Sequence, residues 1–294
     1  KESSAASDVY KRQQEIAVVG AGTMGAGITA DLLFHGYKNI WLIDISLSQL
    51  ERARKDIEHA LRFYPLIAPN LAKVDANEAL QQVSFTTQLN KIHRCDAVIE
   101  NITEKVTVKQ DLYQKMDEIC KPDTCFIANT SCISITAIAA FTSRMDQVIG
   151  IHFMNPAALK STVELIAGVH TNQDTIQKAE RFLSELGKSF VSVGDFPGFV
   201  SNRISHLFMN EAAFAVQDRL AEPAQIDKIF RECFGHKLGP LETADLIGLD
   251  VVADSLDILF ESYHDSKYRC CPLLRKMVSA GMLGKKSGKG FYCY

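Results

Sequence analysis

The chain has 294 residues, 47% hydrophobic and 23% charged, and 32 Lys and Arg against 35 Asp and Glu give a net charge of −3. That composition excludes a disordered, collagen-like or coiled-coil chain. It leaves no bulk electrostatic reason to bind nucleic acid or an anionic membrane, and no apolar run approaches the ~18 residues of a membrane span.

Residues 1–14 are polar and small, lack the apolar stretch of a secretory signal, and read as a flexible tail outside the fold. Glu15–Val19 reads as a strand, followed by a glycine turn and a helix to about His35, and Asn39–Ile43 reads as a second strand. Residues 47–63 carry Leu47, Leu50, Ala53, Ile57, Ala60 and Leu61 at helical spacing. Further strands are predicted at 83–85, 97–99, 125–128, 148–151, 163–166 and 190–193, with helices at 106–120, 135–140 and 173–186. Apolar runs separated by helices predict a doubly wound, mainly parallel sheet with right-handed crossovers, covered on both faces. Beyond Asp195-Phe196-Pro197-Gly198 the pattern turns helical, at 199–216, 224–234, 241–263 and 272–280. The Pro-Gly pair marks the change, dividing an α/β domain at 15–195 from an all-helical domain at 196–294. The eight cysteines include no C-x-x-C pair and several sit in apolar runs, so they read as buried reduced thiols of a cytoplasmic protein rather than metal ligands or disulfides.

Gly20-Ala21-Gly22-Thr23-Met24-Gly25 fits G-x-G-x-x-G, directly after a strand and at the start of a helix. In that context Gly20 permits the tight turn, Gly22 lets a pyrophosphate approach the backbone, and Gly25 lets helix and strand pack closely. The helix start, with Thr23 and Met24 in its first turn, offers N–H groups and a positive dipole end to phosphates. Asp44 ends the second strand about 20 residues later, where a carboxylate accepts hydrogen bonds from the adenine-ribose hydroxyls and repels a 2′-phosphate. No Arg follows at 45–49, so the cofactor predicted is NAD.

His152 sits at the C-terminal end of a predicted strand, the edge where open α/β sheets bind ligands. Twelve residues on, Glu164 lies inside the apolar run Val163-Glu164-Leu165-Ile166. A lone acid in a buried strand needs a partner. If the two segments pair, Glu164 reaches the His152 ring and sets its tautomer. The alternative is an exposed acid on an edge strand. Ser131 also follows a strand, in Asn129-Thr130-Ser131, and Asn202 opens the helical domain in Pro197-Gly198-Phe199-Val200-Ser201-Asn202-Arg203. Each can hydrogen-bond a substrate oxygen or serve as a helix cap.

With these motifs in order, the sequence resembles the 3-hydroxyacyl-CoA dehydrogenases, including the bacterial 3-hydroxybutyryl-CoA enzymes. The likeness is carried by VVGAGTMGAGI, IEN-x-x-E ending at Glu104, ANTS, HFMNP, VELI, PGF-x-x-NR, GPLE-x-AD-x-IGLD and KKSGKGFY. It implies a Rossmann-type NAD domain followed by a helical substrate and dimerisation domain, a homodimer, and no metal. It also implies that His152 is the general base, Glu164 its orienting carboxylate, and Ser131 and Asn202 the ligands of the reacting oxygen. Glu104, Lys109 and Asn129 fall on the cofactor side, and Asn155 beside the base.

The runs CFGHKLGPLETADLIGLD and YRCCPLLRKM look more like a polyketide-associated branch, whose members oxidise the 3-hydroxyl of a glyceryl unit held on an acyl carrier protein. Ser205 and His206 are then candidate contacts for the 2-hydroxyl, or else capping and solvated residues. The late basic residues, Lys267, Arg269, Arg275, Lys276, Lys285, Lys286 and Lys289, meet either an acidic carrier protein, CoA phosphates or plain solvent. The reading leans to the carrier-bound substrate. The alternative is a 3-hydroxyacyl-CoA dehydrogenase of fatty-acid metabolism, and one of another class is an inactive NAD-binding structural relative.

Overall fold

A computed structural model describes residues 14–294, so the tail predicted at 1–14 lies, but for Gln14, outside the described residues. The chain divides into two compact units, one ending at Asp195 and one spanning Phe196–Tyr294.

The first unit is built on an eight-stranded sheet in the order β3-β2-β1-β4-β5-β6-β7-β8. The strands are β1 (Glu15–Val19), β2 (Asn39–Ile43), β3 (Val83–Thr86), β4 (Ala97–Glu100), β5 (Cys125–Ala128), β6 (Val148–His152), β7 (Thr162–Ala167) and β8 (Ser189–Val193). Its helices are α1 (Thr23–Phe34), α2 (Leu47–Ile67), α3 (Ala76–Leu80), α4 (Val106–Ile119), α5 (Ile135–Ala139) and α6 (Gln173–Glu185). Neighbouring strands are parallel, as the alternation of strands and helices predicts, except that β6 and β7 are antiparallel. The segment between those two holds only a single 3-10 turn at Ala157–Leu159, too short for a parallel crossover. Every described residue of β5 and β6 is buried, whereas the edge strand β8 is largely exposed. Helix α1 buries Ile28, Leu32 and Leu33 against the sheet, and α2 covers it with Leu50, Ala53, Ile57 and Leu61. The strand order reverses between β1 and β4, so a crevice opens beyond their carboxyl ends.

The second unit comprises α7 (Ser201–Gln217), α8 (Pro223–Phe234), α9 (Pro240–Ile247), α10 (Leu249–Tyr263) and α11 (Pro272–Ser279). The single helix predicted at 241–263 is two, because Gly248 adopts φ 109° and breaks the ladder. Met209, Leu249, Val252, Leu256, Cys271 and Leu274 form its core. The C-terminal strap is pinned by two buried carboxylates. Asp227 takes the Tyr292 hydroxyl at 2.6 Å, and Asp245 takes the Phe291 and Tyr292 N–H groups at 3.0 and 2.9 Å.

Cys233 and Cys293 are exposed, the other six cysteines are buried, and no disulfide forms among the described residues. Among these residues no helix is long and apolar enough to cross a membrane, and no cluster of His, Cys, Asp or Glu is placed to hold a metal ion.

Candidate active site

The glycine turn is held from two sides. Gly20 N–H donates to Ile43 O at 2.8 Å, and the Asp44 carboxylate accepts from Ala21 N–H and Ser46 N–H, each at 2.9 Å. Gln49 Nε2 closes the turn onto Ala21 O at 2.8 Å. At Gly25 a Cβ would lie 1.8 Å from Gly20 O, so only glycine lets α1 start this close to the turn. At Gly22 a Cβ would meet nothing within 4 Å. That opening belongs to a cleft of about 700 Å³ lined by Gly20, Gly22, Asp44, Ile45, Asn101 and Leu112, among others. No side chain caps the first turn of α1, where Thr23 is exposed and Met24 half-buried. An uncapped helix start, an open glycine and a carboxylate at the end of β2 fit a dinucleotide.

Three strands away, β6 and β7 place His152 and Glu164 directly opposite each other. His152 Nδ1 and Glu164 Oε2 are 2.8 Å apart, and both residues are buried. Glu164 is therefore not an exposed edge acid. Its strand is second from the edge, and its carboxylate faces a ring. An ionised carboxylate only accepts, so Nδ1 carries the proton and Nε2 is left as the acceptor. Nε2 lies 3.2 Å from Ser131 Oγ. The structure thus brings His152, Glu164 and Ser131 together at the ends of β5, β6 and β7.

The loop bearing Ser131 is clamped by Glu104. One oxygen, Oε1, accepts the Thr130 hydroxyl and the N–H groups of Ser131 and Cys132, the last two at 2.8 and 2.9 Å. Glu104 Oε2 faces Lys109 Nζ at 3.5 Å. Lys109 is fully buried, and its ammonium donates to both oxygens of Glu100 at 2.7 and 2.8 Å. Burial pushes the Glu100 carboxyl up, against the pull of Lys109. Burial, and then the charge of Glu100, likewise raise the Tyr113 phenol.

Asn129 spends its amide on the scaffold. Its Nδ2 donates to Asn101 Oδ1 at 2.6 Å and its Oδ1 accepts Phe153 N–H at 3.1 Å, stitching the ends of β4, β5 and β6 together. Asn155 lines a separate recess of about 280 Å³ with Thr23, Arg52, His59 and Tyr64.

The remaining residues singled out in the sequence lie on α7 of the second unit. Asn202 sits in its first turn, half-buried. His206 is buried and its Nδ1 meets Asn202 O at 3.0 Å and Ser205 Oγ at 3.4 Å, so both Ser205 and His206 make contacts within their own helix. Part of the late basic cluster is paired locally: Lys267 with Asp265 at 2.8 Å, Lys286 with Asp250 at 2.6 Å, and Arg275 with Asp257. Such pairing describes a solvated face better than a docking patch.

Glu100, Asn101 and Thr130 were not singled out by the sequence reading. Glu100 carried a usable signal, an acid closing the apolar run Ala97-Val98-Ile99, the same signal that marked Glu164.

The sequence profile described as "3-hydroxyacyl-CoA dehydrogenase, NAD binding domain" matches residues 15–196, and that described as "3-hydroxyacyl-CoA dehydrogenase, C-terminal domain" matches residues 198–294. A probable 3-hydroxybutyryl-CoA dehydrogenase of Deinococcus radiodurans is 41% identical over 281 residues, covering 95% of this chain and 100% of that protein. Its Bacillus subtilis counterpart is 38% identical over 281 residues, 96% of this chain and 97% of that protein. Among solved structures, the (S)-3-hydroxybutyryl-CoA dehydrogenase PaaH1 of Ralstonia eutropha superposes with a TM-score of 0.86 at 36% identity, covering 96% of this chain and 99% of the other.

Proposed function

The chain belongs to the 3-hydroxyacyl-CoA dehydrogenase family and is an NAD-dependent oxidoreductase, and on that premise we propose that it oxidises the 3-hydroxyl of a short 3-hydroxyacyl-CoA thioester in fatty-acid metabolism. The observation that carries the mechanism is the His152 ring held between Glu164 at 2.8 Å and Ser131 at 3.2 Å. Glu164 keeps the Nδ1 proton in place, so Nε2 takes the proton of the substrate hydroxyl as general base. The imidazolium that results is stabilised by the same carboxylate. Ser131 Oγ, already within reach of Nε2, holds the substrate oxygen in line. NAD bound along the glycine turn supplies the hydride acceptor.

The comparisons favour a CoA thioester over the carrier-bound glyceryl unit toward which the sequence leaned. The relatives named above are CoA-thioester enzymes by name, and local pairing in the late basic cluster weakens the argument for an acidic carrier protein. We also infer a homodimer, because the second unit leaves Ile204, Leu220, Phe234, Leu246 and Phe260 exposed. Light scattering at twice 32.6 kDa supports this, and a monomer at micromolar concentration refutes it.

The test of the function runs two substrates side by side, acetoacetyl-CoA with NADH and a carrier-bound glyceryl thioester with NAD. Turnover of the first, lost in His152→Gln, is the expected result. Turnover of the second alone would restore the carrier reading, and full activity in His152→Gln would remove the base.

A further inference from the structure

One buried ammonium of the first unit has no part in the mechanism above. Lys188, the residue before β8, is 7% exposed and sends its side chain into the return that joins β6 to β7. Its Nζ donates to Ala157 O at 2.9 Å and to Lys160 O at 2.8 Å, and Asp31 Oδ2 lies 2.8 Å away. Asp31 is fully buried on α1, and its other oxygen lies 3.4 Å from His35 Nδ1. The end of the return is held as well, since Ser189 N–H donates to Ser161 O at 2.8 Å.

Helical spacing sets the face of α1 that receives the return. Thr23, Gly27 and Asp31 recur every four residues and share one side of the helix. A Cβ at Gly27 would sit 3.6 Å from the Ala157 Cβ, so the turn rests on the helix backbone there. Asp31, one turn on, supplies the charge that keeps Lys188 buried. Thr23, at the start of the same helix, adjoins the glycine turn that fits a dinucleotide, and with Gly27 it lines the recess that holds Asn155 and Pro156. One helix thus carries the phosphate end of the cofactor site and the seat of the return between the strands of His152 and Glu164.

Such a pair adds little to stability, because desolvation offsets much of the Coulomb attraction. What it fixes is register. A lysine that ties carbonyls 157 and 160 to a helix holds the return in one position, and the turn of a hairpin sets which residues face each other across its strands.

We infer that Lys188 and Asp31 are positioning residues for the reaction: together they seat the 157–160 turn on α1, and through that turn they hold His152 opposite Glu164. The inference rests on the function proposed above. The effect of both residues travels through the backbone of the return.

Lys188→Met alone strands a buried carboxylate and risks unfolding the unit. The decisive variant is therefore Lys188→Met with Asp31→Asn, which removes both charges at nearly constant volume. Lys188→Gln with Asp31→Asn is a milder pair, since the glutamine amide keeps a shorter donor for the two carbonyls. The readouts are steady-state kinetics with acetoacetyl-CoA and NADH, and amide hydrogen exchange resolved to peptides. The Met pair is expected to fold, and residues 148–152 and 162–167 should exchange about tenfold faster or more while β1 and β2 hold their protection. Its kcat should fall about ten- to a hundredfold. KM for NADH should stay within about threefold, as expected when an interaction made in the transition state is lost. The Gln pair should fall between the Met pair and the parent. Introduced on top of Glu164→Gln, the Met pair should lower kcat by less than a further threefold or so, the signature of two sites acting through one path.

Four results overturn the inference: a folded pair with parental kcat and unchanged exchange at 148–152 and 162–167; a loss confined to the KM for NADH; a full multiplicative loss beyond Glu164→Gln; or failure of both pairs to fold, which would make Lys188 and Asp31 an element of stability alone. If the parent protein turns over no 3-hydroxyacyl thioester, the functional reading falls by itself, and hydrogen exchange still decides whether the pair seats the return.

Discussion

Replacing Glu164 by glutamine removes a charge and keeps the shape of the side chain. The partner ring is 2.8 Å away, and His152 and Glu164 are only 6% and 7% exposed, so water offers little compensation. The charge centres of such a pair lie about 4 Å apart, and at an effective dielectric of about 20 their attraction is about 4 kcal/mol. The imidazolium forms only as the substrate gives up its proton, so this attraction acts on the transition state more than on bound substrate. At about 1.4 kcal/mol per decade, its loss lowers kcat by up to about a thousandfold. A second effect has the same sign. A glutamine can turn its NH2 toward Nδ1, which moves the ring proton to Nε2 and leaves no acceptor for the alcohol. Glu164→Gln should therefore fold as the parent does by circular dichroism and lose about a hundred- to a thousandfold in kcat, with KM for the thioester little changed. NADH absorbance in single-turnover and steady-state runs measures this. A folded variant within about threefold of the parental kcat would refute the role assigned to the carboxylate.

Further outcomes follow from the same geometry. Gly22→Ala should keep the parental melting temperature, because its Cβ meets nothing within 4 Å, yet bind NAD about tenfold or more weakly by calorimetry; Gly25→Ala, with its Cβ 1.8 Å from Gly20 O, should lose the fold or the cofactor altogether. Asp44→Ala should weaken NAD about tenfold and narrow the gap to NADP in kcat/KM, and an unchanged NAD to NADP ratio would remove Asp44 from cofactor choice. Burial pushes the Cys120 and Cys125 thiols up to about 12, and burial with the Asp245 charge pushes the Tyr294 phenol up to about 12. The unfolded chain ionises these groups near their ordinary values of about 8.5 and 10. Stability is therefore intact below about pH 8.5 and falls as pH rises toward 12, because the unfolded state sheds protons first. A urea midpoint that stays constant from neutral pH to about pH 11 would contradict this.

What could be read from the sequence was what depends on neighbours along the chain. The glycine turn and Asp44 lie in one strand–helix–strand unit, so spacing alone carries their meaning. The break at Gly248 was hidden because apolar periodicity resumes at Leu249, and one glycine costs a helix only about 1 kcal/mol. Asn129 was placed on the cofactor side, yet both ends of its amide bind Asn101 and Phe153, contacts that exist only once three strands lie side by side. The pairing of His152 with Glu164 is the instructive middle case. The sequence shows an acid in an apolar run twelve residues from a histidine; whether they meet depends on the hairpin-like return that makes β6 and β7 antiparallel and on its register. A slip of one residue would turn the Glu164 carboxylate to the other face of the sheet, and the ring would lose the group that sets its tautomer. The chemistry of the site is therefore a property of strand register. Substitutions in the 153–161 turn that shift that register should abolish activity, although none of its residues need touch the substrate.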